Sequence, residues 1–237
     1  MKLYRSCLFT PADRLRVLNK SLVLKNDCTV IDLEDAISPS KKEEARSGVM
    51  EFLRSQEMKN KEDWKTVLLR VNCPISTPWG KDDLSAVEDF VQSGVPGLSG
   101  VVLPKVESKQ VIQDLNGFPL PIWAMIETPR GVINVESITG DSGDQLEGII
   151  FGLNDFTKEI DARHTPQREP LMYAMSRCII AARASDKVVI DGVHMEIEDL
   201  AGLEWTSRQG RNLGFDGVYL VLGHAGRRLC GKTYSKT

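Results

Sequence analysis

Short apolar runs rich in β-branched residues alternate along the whole chain with longer stretches whose apolar positions recur every three to four residues. Eight runs read as strands, at residues 5–9, 29–33, 66–71, 100–104, 122–126, 148–151, 187–190 and 217–222. Between them lie helical patterns at 40–54, 82–93, 169–184 and 197–213, the first opened by Ser40 and Glu43 at capping-box spacing. Runs as uniformly apolar as Gly148-Ile149-Ile150-Phe151 belong in a parallel sheet covered on both faces. An open doubly wound sheet has the same local pattern, but eight β/α units without a glycine fingerprint favour a closed α/β barrel. No linker, repeat or low-complexity tract interrupts the pattern, so residues 1–237 are expected to form one barrel domain. Lys59-Asn60-Lys61-Glu62-Asp63 reads as a solvated loop, and the glycines between 94 and 100 as a turn before the fourth strand.

Composition narrows the function classes. The 237 residues are 41% hydrophobic and 27% charged, with a net charge of −3 and a pI near 5.7. Lys and Arg are scattered rather than clustered, which argues against nucleic acid and anionic membranes as partners. No segment approaches the roughly 18 apolar residues of a membrane span, and the N-terminus has no uninterrupted apolar core of a signal peptide, so a cytoplasmic protein is expected. Cys7, Cys28, Cys73, Cys178 and Cys230 are widely spaced and read as buried or idle thiols. His164, His194 and His224 form no local metal motif, and Ser6, Ser38 and Ser176 lack a nucleophile-elbow context.

The chemistry concentrates at the predicted strand ends, which converge on one mouth in such a barrel. Strand two ends Asp32-Leu33-Glu34-Asp35, strand three Arg70-Val71-Asn72, strand four Pro104-Lys105, strand five Glu127-Thr128, strand six Asn154-Asp155 and strand seven Asp191; strand one begins with Arg5. Glu127 and Asp155 suit a shared Mg²⁺, which is usually held by one or two carboxylates with substrate oxygens and waters completing the octahedron. Arg70 offers a planar fork for a substrate carboxylate, with Arg5 as a helper. Asp32, Glu34 and Asp35 are left with three open roles: orienting the arginines, contacting metal-bound water, or acting as base. The competing reading of these charges, Lys105 included, is an ion-pair ring that closes the barrel.

Taken in order, Arg5-Ser6-x-Leu8-Phe9-x-Pro11, Val30-Ile31-Asp32-Leu33-Glu34-Asp35-Ala36, Lys42 with Ala45-Arg46, Arg70-Val71-Asn72, Leu103-Pro104-Lys105-Val106-Glu107, Ile126-Glu127-Thr128, Phe151-Gly152-x-x-Asp155, Ala181-Ala182-Arg183-Ala184, Ile190-Asp191-Gly192-Val193 and Gly214-Phe215-Asp216-Gly217 resemble the citrate lyase β-subunit-like branch of the HpcH/HpaI aldolase family. The resemblance runs over residues 4 to 217. It implies a TIM barrel that uses Mg²⁺ to cleave or form a carbon–carbon bond between an acyl-CoA and a 2-oxo acid. Glu127 and Asp155 become metal ligands, Arg70 the residue on the oxo-acid carboxylate and oxygen, and Arg14 a contact for CoA phosphates. A homotrimer is implied as well.

The resemblance ends after Gly217, where the family continues with a Lys, an Ile-His-Pro-x-Gln segment, a helix and a lid. Here Val218-Tyr219-Leu220-Val221-Leu222-Gly223-His224 follows, so the last helix and lid are expected to be missing. The function expected from all this is Mg²⁺-dependent cleavage of a hydroxy-dicarboxylyl-CoA such as citryl-CoA or malyl-CoA, with Arg70, Asp32 and Glu34 as catalytic groups and Arg5, Arg70, Arg14 and Lys105 binding substrate. Two alternatives stand beside it: a CoA-independent aldolase for free 2-oxo acids, and a catalytically weak metal- and oxo-acid-binding subunit of a larger complex.

Overall fold

The computed structural model describes residues 3–55, 66–194 and 196–221. Its strands are β1 (Ser6–Pro11), β2 (Cys28–Asp32), β3 (Thr66–Arg70), β4 (Gly100–Leu103), β5 (Ile122–Ile126), β6 (Leu146–Phe151), β7 (Val188–Asp191) and β8 (Gly217–Val221), closed in sequence order into one barrel. Every neighbouring pair is parallel, including β1 with β8, where Cys7 is paired with Tyr219. Around it lie α1 (Leu15–Val23), α2 (Lys42–Arg54), α3 (Gly80–Gln92), α4 (Gln110–Gln113), α5 (Pro129–Ile133), α6 (Val135–Gly140), α7 (Leu153–Glu159), α8 (Met172–Ala184) and α9 (Leu200–Leu213).

All eight strands fall within two residues of their expected positions, because their apolar runs are short, continuous and bounded by turn residues. The shorter helices α4 to α7 have no helical signature in the sequence: four to seven residues are too few to establish a helical period. The expected capping box at Ser40 is corrected. Pro39 opens a 3₁₀ turn over Pro39–Lys41 that contains Ser40, so α2 begins after Lys41 with no side-chain cap. Side-chain caps occur elsewhere: Thr128 Oγ1 accepts from Gly131 N at 3.0 Å before α5, and Asp199 Oδ1 from Gly202 N at 2.9 Å before α9. Residues 59–63, Cys230, His224 and nearly all of the divergent C-terminal segment lie outside the described residues. The other four cysteines are buried, and none of them forms a disulfide among the described residues.

Alternation along the strands sorts the core into two shells. Between sheet and helices pack Ile31, Leu69, Leu103, Ala124, Ile126 and Ile149 with Phe90, Val135 and Cys178. Inside the barrel pack Phe9, Cys28, Val30, Leu68, Val102, Trp123, Met125, Ile150 and Ile190, with the Tyr4 ring edge-on to Trp123 at 4.8 Å. Each fully buried side chain of this kind stabilises the fold by roughly 1.5–3 kcal/mol. The inward rows then run upward into polar residues: Cys28, Val30, Asp32 on β2; Leu68, Arg70 on β3; Trp123, Met125, Glu127 on and just after β5. The same period of two that fills the barrel with apolar groups delivers these charges to its C-terminal mouth.

Candidate active site

At that mouth Asp32, Asp35, Arg70, Met125, Glu127 and Asp155 line a cavity of about 280 Å³. Asp32 and Arg70 are partners in the β2–β3 register. Arg70 Nε and Nη2 donate to the two oxygens of Asp32, both at 2.7 Å, and its guanidinium lies 5.4 Å over the Phe9 ring, which stacks on Tyr219 at 3.7 Å. Nη1 faces outward, 2.9 Å from Glu34 Oε2, 3.5 Å from Asp35 Oδ2 and 3.6 Å from the Met125 sulfur. Burial pushes the Asp32 carboxyl up, but the charge and two hydrogen bonds of Arg70 outweigh it and hold the group below its ordinary range. Asp32 therefore fixes the arginine's plane and is a poor base.

Glu34 is the opposite case. Its Oε1 accepts from Lys105 Nζ at 2.7 Å, while Oε2 is close to Arg70 without a hydrogen bond aligned on it. Burial raises its pKa, with the neighbouring Asp35 charge adding to the effect against the opposing pull of Arg70 and Lys105. The backbone of this segment is pinned from behind: Lys42 Nζ donates to the carbonyls of Leu33 and Glu34 at 2.8 and 2.7 Å, and Asn72 Nδ2 to Leu33 at 3.2 Å. Lys42 and Asn72 belong to the site's scaffold: Asn72 stands in the strand-three ending, whereas Lys42, at the start of α2, lies at no strand end.

Glu127 is 3% exposed. Its Oε1 accepts the backbone N–H of Lys105 at 2.8 Å, and burial, aided by repulsion from Glu34, pushes its pKa to about 8 despite Arg70 and Lys105. Gly152 makes room for it: a Cβ there would come within 2.4 Å of Glu127 Cβ and Oε2. Asp155 reaches the same cavity from the first turn of α7. A buried carboxylate without a side-chain cation bonded to it, facing a second carboxylate across an open cavity, fits a hard divalent cation. Mg²⁺ is usually held by one or two carboxylates, with substrate oxygens and water completing its shell; among the described residues no group of three or more His, Cys, Asp or Glu is placed to hold a metal ion.

Two sequence expectations are redrawn. Arg5 precedes β1 at the opposite, N-terminal end of the barrel, where Nε and Nη2 bond the Asp27 carboxylate at 2.7 and 2.8 Å; strand direction keeps it away from Arg70, and it is corrected from substrate binding to a structural ion pair. Lys105 does reach the mouth, but its ammonium is engaged by Glu34 and lies 3.4 Å from Asp155 rather than standing free for substrate. Asp191 ends β7 fully buried, its two oxygens held by Arg168 Nη1 at 2.8 and 2.9 Å, so this part of the ion-pair ring exists. Arg14 is exposed at the N-terminus of α1, on the mouth side. Tyr219 lines the cavity as well, without any mark in the sequence, since an aromatic on β8 reads as core. A second cavity of about 460 Å³ shares Leu153 and Val193 with the first and is bordered by Arg168, His194, Trp205 and Thr206.

Comparison with known proteins gives one consistent result. The family model for HpcH/HpaI aldolase/citrate lyase matches residues 5–222. A (3S)-malyl-CoA thioesterase from Cereibacter sphaeroides is 32% identical over 220 residues, 92% of this chain and 73% of that protein. Human mitochondrial citramalyl-CoA lyase is 30% identical over 236 residues, 92% of this chain and 67% of its own. Among solved structures, the protein CitE from Mycobacterium tuberculosis in complex with magnesium and acetate is 25% identical with a TM-score of 0.76, covering 92% of this chain and 86% of that one.

Proposed function

Since the chain belongs to the HpcH/HpaI aldolase/citrate lyase family, we propose that it is a Mg²⁺-dependent carbon–carbon lyase that splits a hydroxy-dicarboxylyl-CoA, of the malyl-CoA, citramalyl-CoA or citryl-CoA kind, into an acyl-CoA and a 2-oxo acid. The observation that carries this reading is the convergence of Arg70, Glu127 and Asp155 on one cavity. Glu127 and Asp155 hold the ion, and the magnesium complex of the 25% identical CitE supports the choice of metal. Bound there, Mg²⁺ supplies Lewis acidity toward the substrate's hydroxyl and carboxylate oxygens.

The protein's own groups do the rest. Arg70, its plane set by Asp32, presents Nη1 to the carboxylate and oxygen of the oxo-acid half. Glu34 Oε2, buried and unaligned with any donor, accepts the hydroxyl proton. The carbon–carbon bond then breaks, the hydroxyl carbon becomes the carbonyl of the 2-oxo acid, and the electron pair passes to the thioester enolate, which takes up a proton to give the acyl-CoA. Arg14, exposed at the rim, meets the CoA phosphates. In this reading residues 1–237 act as one barrel domain in the cytoplasm and assemble as a homotrimer; the exposed Ile133, Tyr173 and Ile180, on α5 and α8 bridged by Arg177, support self-association. Light scattering measures that assembly.

The test incubates the protein with each thioester, with Mg²⁺ and with EDTA, and follows 2-oxo acid and free CoA thiol separately. Mg²⁺-dependent 2-oxo acid without free thiol is expected. A second reading is favoured by the thioesterase relative: free thiol plus intact hydroxy acid would assign hydrolysis instead. Neither product from any of the three would overturn the lyase and leave the metal- and oxo-acid-binding subunit.

A further inference from the structure

Lys105 is tied to the candidate metal site twice, by chemically different bonds. Its backbone N–H donates to Glu127 Oε1 at 2.8 Å, and its ammonium stands 2.7 Å from Glu34 Oε1, 3.4 Å from Asp155 Oδ2 and 4.0 Å from Asp35 Oδ1. The residue that makes this backbone bond holds the left-handed conformation, φ 53°, which a residue with a Cβ rarely adopts and which persists only where surrounding contacts fix it. The ammonium, by contrast, ends a flexible four-carbon stem, and both its side chain and that of Asp155 are 34% exposed. One contact is rigid and the other is free to change.

We propose that Lys105 is the built-in counter-cation of the metal centre: its ammonium occupies Asp155 in the metal-free protein and gives that carboxylate up when a divalent cation binds, while its backbone holds Glu127 in place throughout. The inference rests on reading Glu127 and Asp155 as the metal ligands. Four carboxyl groups, Asp32, Asp35, Glu127 and Asp155, line one cavity with Glu34 buried beside it, and Arg70 already serves Asp32 and Glu34. Without Lys105 nothing named on that rim would offset Asp155 before the ion arrives. Two cations cannot share the same carboxylate oxygen cheaply, so loading must displace the weaker, singly charged and mobile one; Glu34 Oε1, already the shorter contact, is where the ammonium stays. Lys105 thus acts as a positioning residue through Glu127 and as a competitor for Asp155.

Removing the ammonium should make the site bind metal more tightly, an effect that a purely structural lysine would not produce. Lys105→Gly deletes the side chain and suits the left-handed backbone, so Glu127 keeps its hydrogen bond and folding is spared; Lys105→Met keeps the stem. The probe is Mn²⁺ alone, titrated by electron paramagnetic resonance without substrate or turnover. Both variants should bind Mn²⁺ about tenfold more tightly than the unaltered protein, the equivalent of about 1.4 kcal/mol. Equal or weaker binding in Lys105→Gly with intact circular dichroism would overturn the competition. Should the unaltered protein and both variants all fail to bind Mn²⁺, the metal-ligand reading itself falls, and this inference with it.

Discussion

Asp32 and Arg70 face each other in the β2–β3 register and close a fork of two parallel 2.7 Å hydrogen bonds at the top of the barrel. Two of the guanidinium's three nitrogens are thereby fixed, and the third lies 2.9 Å from Glu34 Oε2 and 3.5 Å from Asp35 Oδ2. Replacing Arg70 by Lys keeps the charge but loses this geometry. Arg70→Lys should weaken binding of pyruvate or oxaloacetate to the Mg²⁺-loaded protein by about 1.5–3 kcal/mol, the range for hydrogen bonds to charged groups. Calorimetry with each oxo acid measures it, and unchanged affinity would move the carboxylate site off Arg70.

The pH dependence of metal binding follows from Glu127. With a pKa near 8 in the folded protein against 4.5 ordinarily, this carboxyl keeps its proton between those values while an unfolded chain has released it. In the metal-free protein Glu127 therefore contributes a loss of stability as pH rises through that window. Metal binding needs the carboxylate, so it must expel the proton. Mg²⁺ affinity should rise from pH 6 to 8 and level off above, with close to one proton released at pH 7. Titrations in two buffers of different ionisation enthalpy count that proton, and a count of zero would mean that Glu127 is already ionised.

Gly152→Ala isolates the packing of the same ligand. The added methyl would sit 2.4 Å from Glu127 Cβ and Oε2, and overpacking of this kind costs about 1–3 kcal/mol. Glu127 must move, so Mg²⁺ affinity should fall by at least tenfold while the circular dichroism spectrum is retained. Normal metal binding would show that Glu127 is not held by this contact.

The buried pair beneath the second cavity makes a stability prediction. Asp191 is 0% exposed; Arg168 Nη1 donates to both of its oxygens and the Gly192 N–H to Oδ1. Removing one partner of such a pair typically costs 3–5 kcal/mol. Arg168→Met should therefore destabilise the fold by about that much at pH 7 in urea, and by less at acid pH, where Asp191, its pKa already raised by burial, takes up a proton. The double variant Arg168→Met with Asp191→Leu should recover most of the loss.

The sequence by itself determined the barrel and the ring of charges. Strand runs such as Ile122–Ile126 and the carboxylate that follows at Glu127 are local features, written in consecutive residues, and the period of two carries an inward row from Trp123 to Glu127 without help from the rest of the chain. The placement of each charge within the ring was decided only by tertiary structure. Arg5 and Arg70 look alike in the chain, yet strand direction sends one to Asp27 at the floor and the other to Asp32 at the mouth. Asp32 and Glu34 are two residues apart and equally acidic, but two hydrogen bonds from Arg70 lower one pKa while burial raises the other. Lys105 acquires its double tie through a left-handed backbone that no local pattern announces, and Asp191 is claimed by an arginine from a distant loop. Charge, burial and hydrogen bonding act between residues that meet only when the barrel closes.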